Sequence, residues 1–248
     1  MQYLEILSSN NILRGMKHHC SRFADAQQPI IMVHGYFSAT RNGPQRLFIE
    51  LANQLASLGF TVYRFDLSGM GESEGDIKKI TFQKHVEDLD AIVDFVQREH
   101  PNQPITIVAH SLGCNLALCK IQKDFTLYHK VVFLAPYLTN SNTIHLIIGD
   151  EKKLRELEKN NFTYRKGLYV DNSYFVESET EKFSKIISSL PIKFSIIVGD
   201  EDQFIPTDLT ISALKNISNT EVTRIHGADH NFLETHKELV DIIVSILS

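Results

Sequence analysis

Ile105-Thr106-Ile107-Val108-Ala109-His110-Ser111-Leu112-Gly113 is the stretch on which the fold turns. The apolar run from Ile105 to Ala109 reads as a strand, breaks at a serine flanked by small residues, and continues as a helix from Leu112 to Lys123. Where an incoming strand and an outgoing helix nearly touch, there is little room two positions before and two after the serine, and Ala109 and Gly113 stand there. This is the logic of the nucleophile elbow, G-x-S-x-G, with alanine for the first glycine. The alternative for such a serine is a helix N-cap, whose hydroxyl binds the first turn of the backbone.

Outward from this stretch, short apolar runs alternate with longer amphipathic ones. Ile30 to Val33, Thr61 to Phe65, Val131 to Leu134, Phe194 to Val198 and Val222 to His226 read as strands, several apolar on both faces as buried parallel strands are. Pro44 to Leu58, Phe82 to Glu99, Asp208 to Ile217 and Thr235 to Leu247 carry helical spacing, with Gly59 stopping the first. Tyr3 to Leu7 and Ile12 to Met16 flank Ser8-Ser9-Asn10-Asn11 and read as an antiparallel hairpin at one sheet edge. The expected fold is α/β, a mostly parallel central sheet with helices on both faces.

Residues 136–190 interrupt the rhythm. They hold a charged helix from Asp150 to Lys159, the run Tyr164 to Val170, and a helix near Thr180 to Ser189. So long a detour implies a small cap over the strand ends, inserted in a core of residues 1–135 and 191–248 that forms a single domain overall. Tyr137, Phe162, Tyr164, Tyr169, Tyr174 and Phe175 are its candidate pocket-lining residues, or else the cap's own core.

The chain has 248 residues, 25 Lys and Arg against 30 Asp and Glu, a net charge of −5 and no dense basic block, which disfavours nucleic acid or an anionic membrane as partner. Met1 to Ile6 lack a basic stretch followed by a long apolar one, and no segment is apolar enough for stable membrane insertion, so a cytoplasmic location is expected. Cys20, Cys114 and Cys119 are an odd number without metal-ligand spacing, which suits reduced thiols and implies no metal site.

A serine hydroxyl is a poor nucleophile near neutral pH and needs a base to take its proton and a carboxylate to orient that base. The loop Gly199-Asp200-Glu201-Asp202-Gln203-Phe204-Ile205-Pro206 offers three acids after one strand, and Gly227-Ala228-Asp229-His230-Asn231-Phe232 presents a histidine after the last. Asp229 reads as a loop-shaping residue. The N–H of Leu112, at a helix start directly after Ser111, is a candidate donor to a developing oxyanion. Asp66 to Ser73 reads as a glycine-rich turn without the lysine of a P-loop or the spacing of a dinucleotide fingerprint. His34 reads as a structural residue holding its loop, and His110 is expected to point away from the site, because neighbours at a strand end face opposite sides.

In the order Ser111, acid, His230, the chain resembles the α/β-hydrolases of the serine esterase and lipase type. Its likeness is nearest to cinnamoyl and feruloyl esterases, then to small monoacylglycerol lipases. The likeness covers nearly the whole chain, through His34-Gly35-Tyr36-Phe37, Arg64 to Ser73, the elbow and the two loops above. It implies Asp202 as the acid, three residues after Gly199 and four before Pro206, with Asp200 left as a turn residue. It also implies the N–H of Tyr36 as second oxyanion donor, and no cofactor. Cys114 stands where such families often have glycine and is read as a buried, inert thiol. The expected activity is hydrolysis of a small-molecule carboxylic ester through an acyl-serine intermediate, of feruloyl or short-to-medium-chain type. A thioesterase, acyltransferase or lipase uses the same three residues, a peptidase fits less well, and a non-catalytic ligand-binding protein is the reading from a different class. A homodimer is compatible with all of these.

Overall fold

The computed structural model describes residues 1–19, 27–36, 40–137, 144–165, 168–177 and 183–247; Cys20, Phe37, Lys166, Gly167 and the start of the expected helix at Thr180 lie outside them. Ser8-Ser9-Asn10-Asn11 turns the chain, with Ser9 in the left-handed region at φ 52°, so that β1 (Gln2–Ser8) and β2 (Asn11–His18) pair antiparallel. There follow β3 (Gln27–Val33), α1 (Leu47–Ser57), β4 (Phe60–Phe65), α2 (Phe82–Glu99), β5 (Ile105–His110), α3 (Leu112–Lys123) and β6 (Tyr128–Leu134). Between β6 and β9 (Phe194–Gly199) come α4 (Ile144–Ile148), α5 (Glu151–Asn160), β7 (Phe162–Arg165), β8 (Leu168–Asp171), α6 (Asn172–Glu177) and α7 (Phe183–Ser189). The chain closes with α8 (Thr207–Leu214), β10 (Thr220–Ile225) and α9 (His236–Leu247).

Eight strands form one sheet in the order β1-β2-β4-β3-β5-β6-β9-β10, antiparallel only among β1, β2 and β4. Alternate side chains of the central strands feed two cores. Ile31, Val33, Tyr63, Ile107 and Phe133 meet α2, α3 and α7, while Ile30, Met32, Val62, Val108 and Val132 meet α1 and α9. Each such buried side chain contributes about 1.5–3 kcal/mol, which is why these strands carry no polar face. The chain leaves β3 for β4 on one side and returns to β5 on the other, so a crevice opens beyond the carboxyl ends of β3 and β5.

One stretch differs from expectation, and one that the sequence left unassigned becomes defined. Pro44 to Leu58 is not one helix, because Gln45 and Arg46 take φ of 45° and 70° and the regular helix begins only at Leu47. Across the unassigned run from Tyr164 to Val170, Phe162–Arg165 and Leu168–Asp171 pair antiparallel, with Phe162 opposite Asp171 and Arg165 opposite Leu168.

Candidate active site

Ser111 joins β5 to α3 at φ 55° and ψ −127°, a conformation that costs on the order of 1–3 kcal/mol and persists only where the surroundings enforce it. They do so through the Ser111 N–H, which donates to the Leu134 carbonyl at 2.9 Å on the neighbouring strand. The hydroxyl makes no cap bond to α3, which removes the N-cap alternative. It donates to Nε2 of His230 at 3.0 Å. Gly113 is required for a reason other than the expected one. A Cβ there would lie 2.5 Å from the His34 carbonyl oxygen and 2.6 Å from that of Val33, so α3 crowds the end of β3, not the strand that feeds it. Cys114 is fully buried, its thiol directed at the Ala109 carbonyl at 3.3 Å, and burial pushes its pKa well up.

His230 and the acid loop meet because Gly199 lets them. A Cβ at Gly199 would lie 2.2 Å from the Ala228 carbonyl oxygen. Nδ1 of His230 donates to Oδ2 of Asp202 at 2.7 Å, and the other oxygen of Asp202 accepts the N–H groups of Phe204 and Ile205, both at 2.8 Å. A carboxylate only accepts, so the proton sits on Nδ1 and Nε2 is left to accept from Ser111. Asp200 turns instead to the Gly227 N–H and His226, and Glu201 to solvent, so of the three acids it is Asp202 that reaches the histidine. Asp229 accepts from the N–H groups of Asn231 and Leu233 and shapes the histidine loop.

His110 does not point away. Its Nε2–H donates to the His230 carbonyl at 2.9 Å and the two rings lie 5.1 Å apart, because the histidine loop folds back over the end of β5. Burial, with His230 close by, lowers its pKa to about 3, so it stays neutral beside the relay. His34 holds its loop, Nδ1–H donating to the Gly35 carbonyl at 2.7 Å and Nε2 accepting from the Leu67 N–H at 3.2 Å.

Ser111, His230, Tyr36 and Leu112 line one cleft of about 300 Å³ at the predicted crevice. Its rim at Gly43, Pro44 and Gln45 is fixed from below. Asp66 accepts the Arg41 N–H at 2.6 Å and pairs with the Arg41 guanidinium, and buried Arg64 donates to Asn42 and to Nε2 of His18. The inserted segment contributes Tyr137, Ile147 and Arg165. Of the six aromatic residues singled out in the sequence, Tyr137 alone is among these lining residues. Phe162, Tyr164 and Tyr169 pack on one another along the hairpin. Tyr174 and Phe175 are buried against Tyr36, Tyr174 with ring centroids 4.3 Å from it. The Tyr174 hydroxyl donates to Nδ1 of fully buried His85 at 2.6 Å, and Nε2–H of His85 donates to the Ser68 carbonyl. Arg165 was not foreseen; its guanidinium lies 5.0 Å from the centroid of Phe204, whose ring meets His230 edge-on at 5.4 Å.

Among the described residues no cluster of three His, Cys, Asp or Glu side chains is placed to hold a metal ion, and no helix is long and apolar enough to cross a membrane. What the arrangement can do is move a proton from a strained serine to a histidine whose far side is fixed by a carboxylate, in a cleft that Tyr36 and Leu112 also line.

Comparison with known proteins agrees with this architecture. Est1E from Butyrivibrio proteoclasticus, solved with ferulic acid bound, superposes with a TM-score of 0.84 at 16% identity, covering 98% of this chain and 97% of that one. The α/β-hydrolase domain-containing protein 10 from mouse superposes with a TM-score of 0.73 at 18% identity, covering 100% of both chains. In sequence, the palmitoyl-protein thioesterase ABHD10, mitochondrial, of Bos taurus is 26% identical over 213 residues, 83% of this chain and 67% of that protein. The monoglyceride lipase of Mus musculus is 32% identical over 88 residues, 35% of this chain and 29% of that protein. The family described as serine aminopeptidase, S33, matches residues 24–147, which span β3, the elbow and β6 and amount to half of the chain. With the fold of the α/β hydrolases and this match through the elbow, the chain is a member of the serine aminopeptidase S33 family.

Proposed function

We propose that this chain hydrolyses carboxylic esters of small acyl groups through an acyl-enzyme on Ser111. The observation that carries the reading is the relay from Ser111 through His230 to Asp202, at 3.0 and 2.7 Å, opening on the cleft. Ser111 Oγ attacks the ester carbonyl carbon as its proton passes to Nε2 of His230, and Asp202 stabilises the imidazolium. The N–H groups of Leu112 and Tyr36 take the oxyanion, each worth about 10²–10³ in rate. His230 then gives its proton to the leaving oxygen as the carbon–oxygen bond breaks. Water, deprotonated by His230, attacks the acyl-serine and releases the acid.

Cleft size supports a short acyl group. At about 300 Å³ the cleft lies at the small end of the range of ligand pockets. A thioester substrate is the second reading, favoured by the long match to a thioesterase, and it follows the same steps with a thiolate leaving. Aminopeptidase activity is disfavoured, since no described residue lining the cleft is an acid that could hold a substrate's ammonium group. A cytoplasmic location accords with the unpaired thiols of Cys114 and Cys119.

A fluorophosphonate probe should label Ser111 stoichiometrically, and purified Ser111→Ala should lose both labelling and hydrolysis of p-nitrophenyl butyrate. Undiminished hydrolysis by that variant overturns the reading. A panel from p-nitrophenyl acetate to palmitate, with methyl ferulate and a butyryl thioester, should peak at short acyl chains and rank ester against thioester.

A further inference from the structure

We infer that His110 is a positioning residue for acyl transfer, holding the catalytic histidine at the height where its ring meets the serine. Resting on the acyl-transfer reading above, this role concerns what sets the distance between nucleophile and base. His110 ends β5 and directly precedes Ser111. Its Nε2–H donates to the His230 carbonyl at 2.9 Å, while Nε2 of His230 accepts from the Ser111 hydroxyl at 3.0 Å. Two adjacent residues at one strand end therefore grip His230 by its backbone and by its ring. Together they close a circuit, from Ser111 to the His230 ring, through the His230 backbone to the His110 ring, and back across one peptide bond.

Other bonds tie the histidine loop elsewhere. Asp229 accepts from the N–H groups of Asn231 and Leu233 within the loop, and the Ala228 carbonyl accepts from the Glu201 N–H at 2.9 Å. Those bonds shape the loop and join it to the acid loop, whereas the bond from His110 joins it to the strand that carries the nucleophile. His110 suits the task because its ring is neutral and holds one tautomer. A carbonyl only accepts, so the proton of the neutral ring stands on Nε2. Nδ1 is buried and has no hydrogen-bond partner among the described residues, so a second proton there would be a donor without an acceptor. The two rings lie 5.1 Å apart, so a neutral His110 also adds no like charge beside the imidazolium that His230 becomes during the reaction.

The test measures kcat and KM for p-nitrophenyl butyrate in His110→Phe, which keeps a flat ring and loses the donor, and in His110→Gln, whose amide offers an N–H at similar reach. His110→Phe should lower kcat roughly 10²-fold, the cost of misplacing a reacting group by about 1 Å, with KM changed by less than about twofold. Labelling of Ser111 by a fluorophosphonate should slow in parallel, because that step uses the same base. His110→Gln should recover about tenfold of the loss, the worth of a neutral hydrogen bond. Unchanged kcat in His110→Phe, a loss carried by KM, or equal losses in the two variants overturns the inference. Should His110→Phe not fold, the wild type decides: in 15N-labelled protein at neutral pH, the His110 ring should carry its proton on Nε2, protected from exchange, and an Nδ1–H tautomer or a cationic ring overturns the inference. Wild-type hydrolysis beside an unimpaired His110→Phe overturns this role alone, whereas absence of both labelling and hydrolysis in the wild type overturns the acyl-transfer reading and this role with it.

Discussion

Replacing Gly113 by alanine tests the elbow where its geometry is tightest. The added Cβ would lie 2.5 Å from the His34 carbonyl oxygen, 0.9 Å short of ordinary contact at 3.4 Å, and 2.6 Å from that of Val33. Both obstacles are backbone of β3 and its loop, fixed by parallel pairing to β4 and β5, so neither can swing aside as a side chain would. Relief must come from α3 moving bodily by most of that distance, which carries Ser111 with it. The Ser111–His230 hydrogen bond, 3.0 Å now, would then exceed hydrogen-bonding range. Overpacking of this kind costs about 1–3 kcal/mol, a fall of roughly 2–12 °C in melting temperature for a chain of this size. Displacement of a nucleophile by about 1 Å costs on the order of 10²-fold in rate. The assay is kcat for p-nitrophenyl butyrate beside a thermal melt. Gly113→Ala that melts as wild type and keeps its kcat within twofold would refute the argument that β3 sets the position of the elbow.

Four further outcomes follow from the same geometry. Asp202→Asn keeps an oxygen for the N–H groups of Phe204 and Ile205 but no longer enforces the proton on Nδ1 of His230, so kcat should fall on the order of 10⁴-fold with the melting temperature little changed; a loss under tenfold counts against the relay. Burial, joined by nearby Arg64 for His18 and by His230 for His110, holds His18 and His85 at about 4 and His110 at about 3. Because an unfolded histidine protonates near 6.5, the unfolded chain takes up protons first as pH falls, so stability present above about pH 6.5 should drain toward pH 4; chemical denaturation showing a flat profile from pH 7 to 4 contradicts this. Tyr174→Phe leaves Nδ1 of His85 without that donor and should cost about 1–3 kcal/mol in urea unfolding, an effect absent if the hydroxyl bond is incidental. Cys114 should resist maleimide at pH 8 in the native chain and react once it is unfolded; mass spectrometry finding native modification at Cys114 would contradict its burial.

How much of this was legible in the sequence depended on whether the signal was local. The doubly apolar runs that became β3, β4, β5 and β6 declare their burial residue by residue, and Leu112 to Lys123 forms the helix its spacing predicts. Ser111 and His230 are announced by small residues around them and by their place after strands. Asp202 was chosen over Asp200 and Glu201 by resemblance, since a loop with three acids does not say which one turns inward until Gly199 is seen to press on Ala228. Arg165 left no signal at all. One arginine in a hairpin gains meaning only when Phe204, a distant residue on another loop, lies under it. The inward turn of His110 was missed for a related reason: alternation along β5 predicts a direction relative to the sheet, but not that the histidine loop returns to cover that side. The break of the first helix at Gln45 and Arg46 was equally hidden, because neither residue type advertises positive φ.

The inserted segment touches the site in two mechanically different ways. At α6 it is nailed down, with the Tyr174 ring tilted against that of Tyr36 and its hydroxyl bonded to a histidine buried in the core. At the hairpin, whose Phe162, Tyr164 and Leu168 face solvent, it meets the lip of the cleft through the long side chain of Arg165. The cleft therefore has one stiff wall and one compliant wall. The stiff wall carries Tyr36 and belongs to the energetics of folding, so altering it risks the whole chain. The compliant wall is a short, surface-borne ribbon, and its residues can be exchanged while Ser111 and His230 stay where the sheet put them.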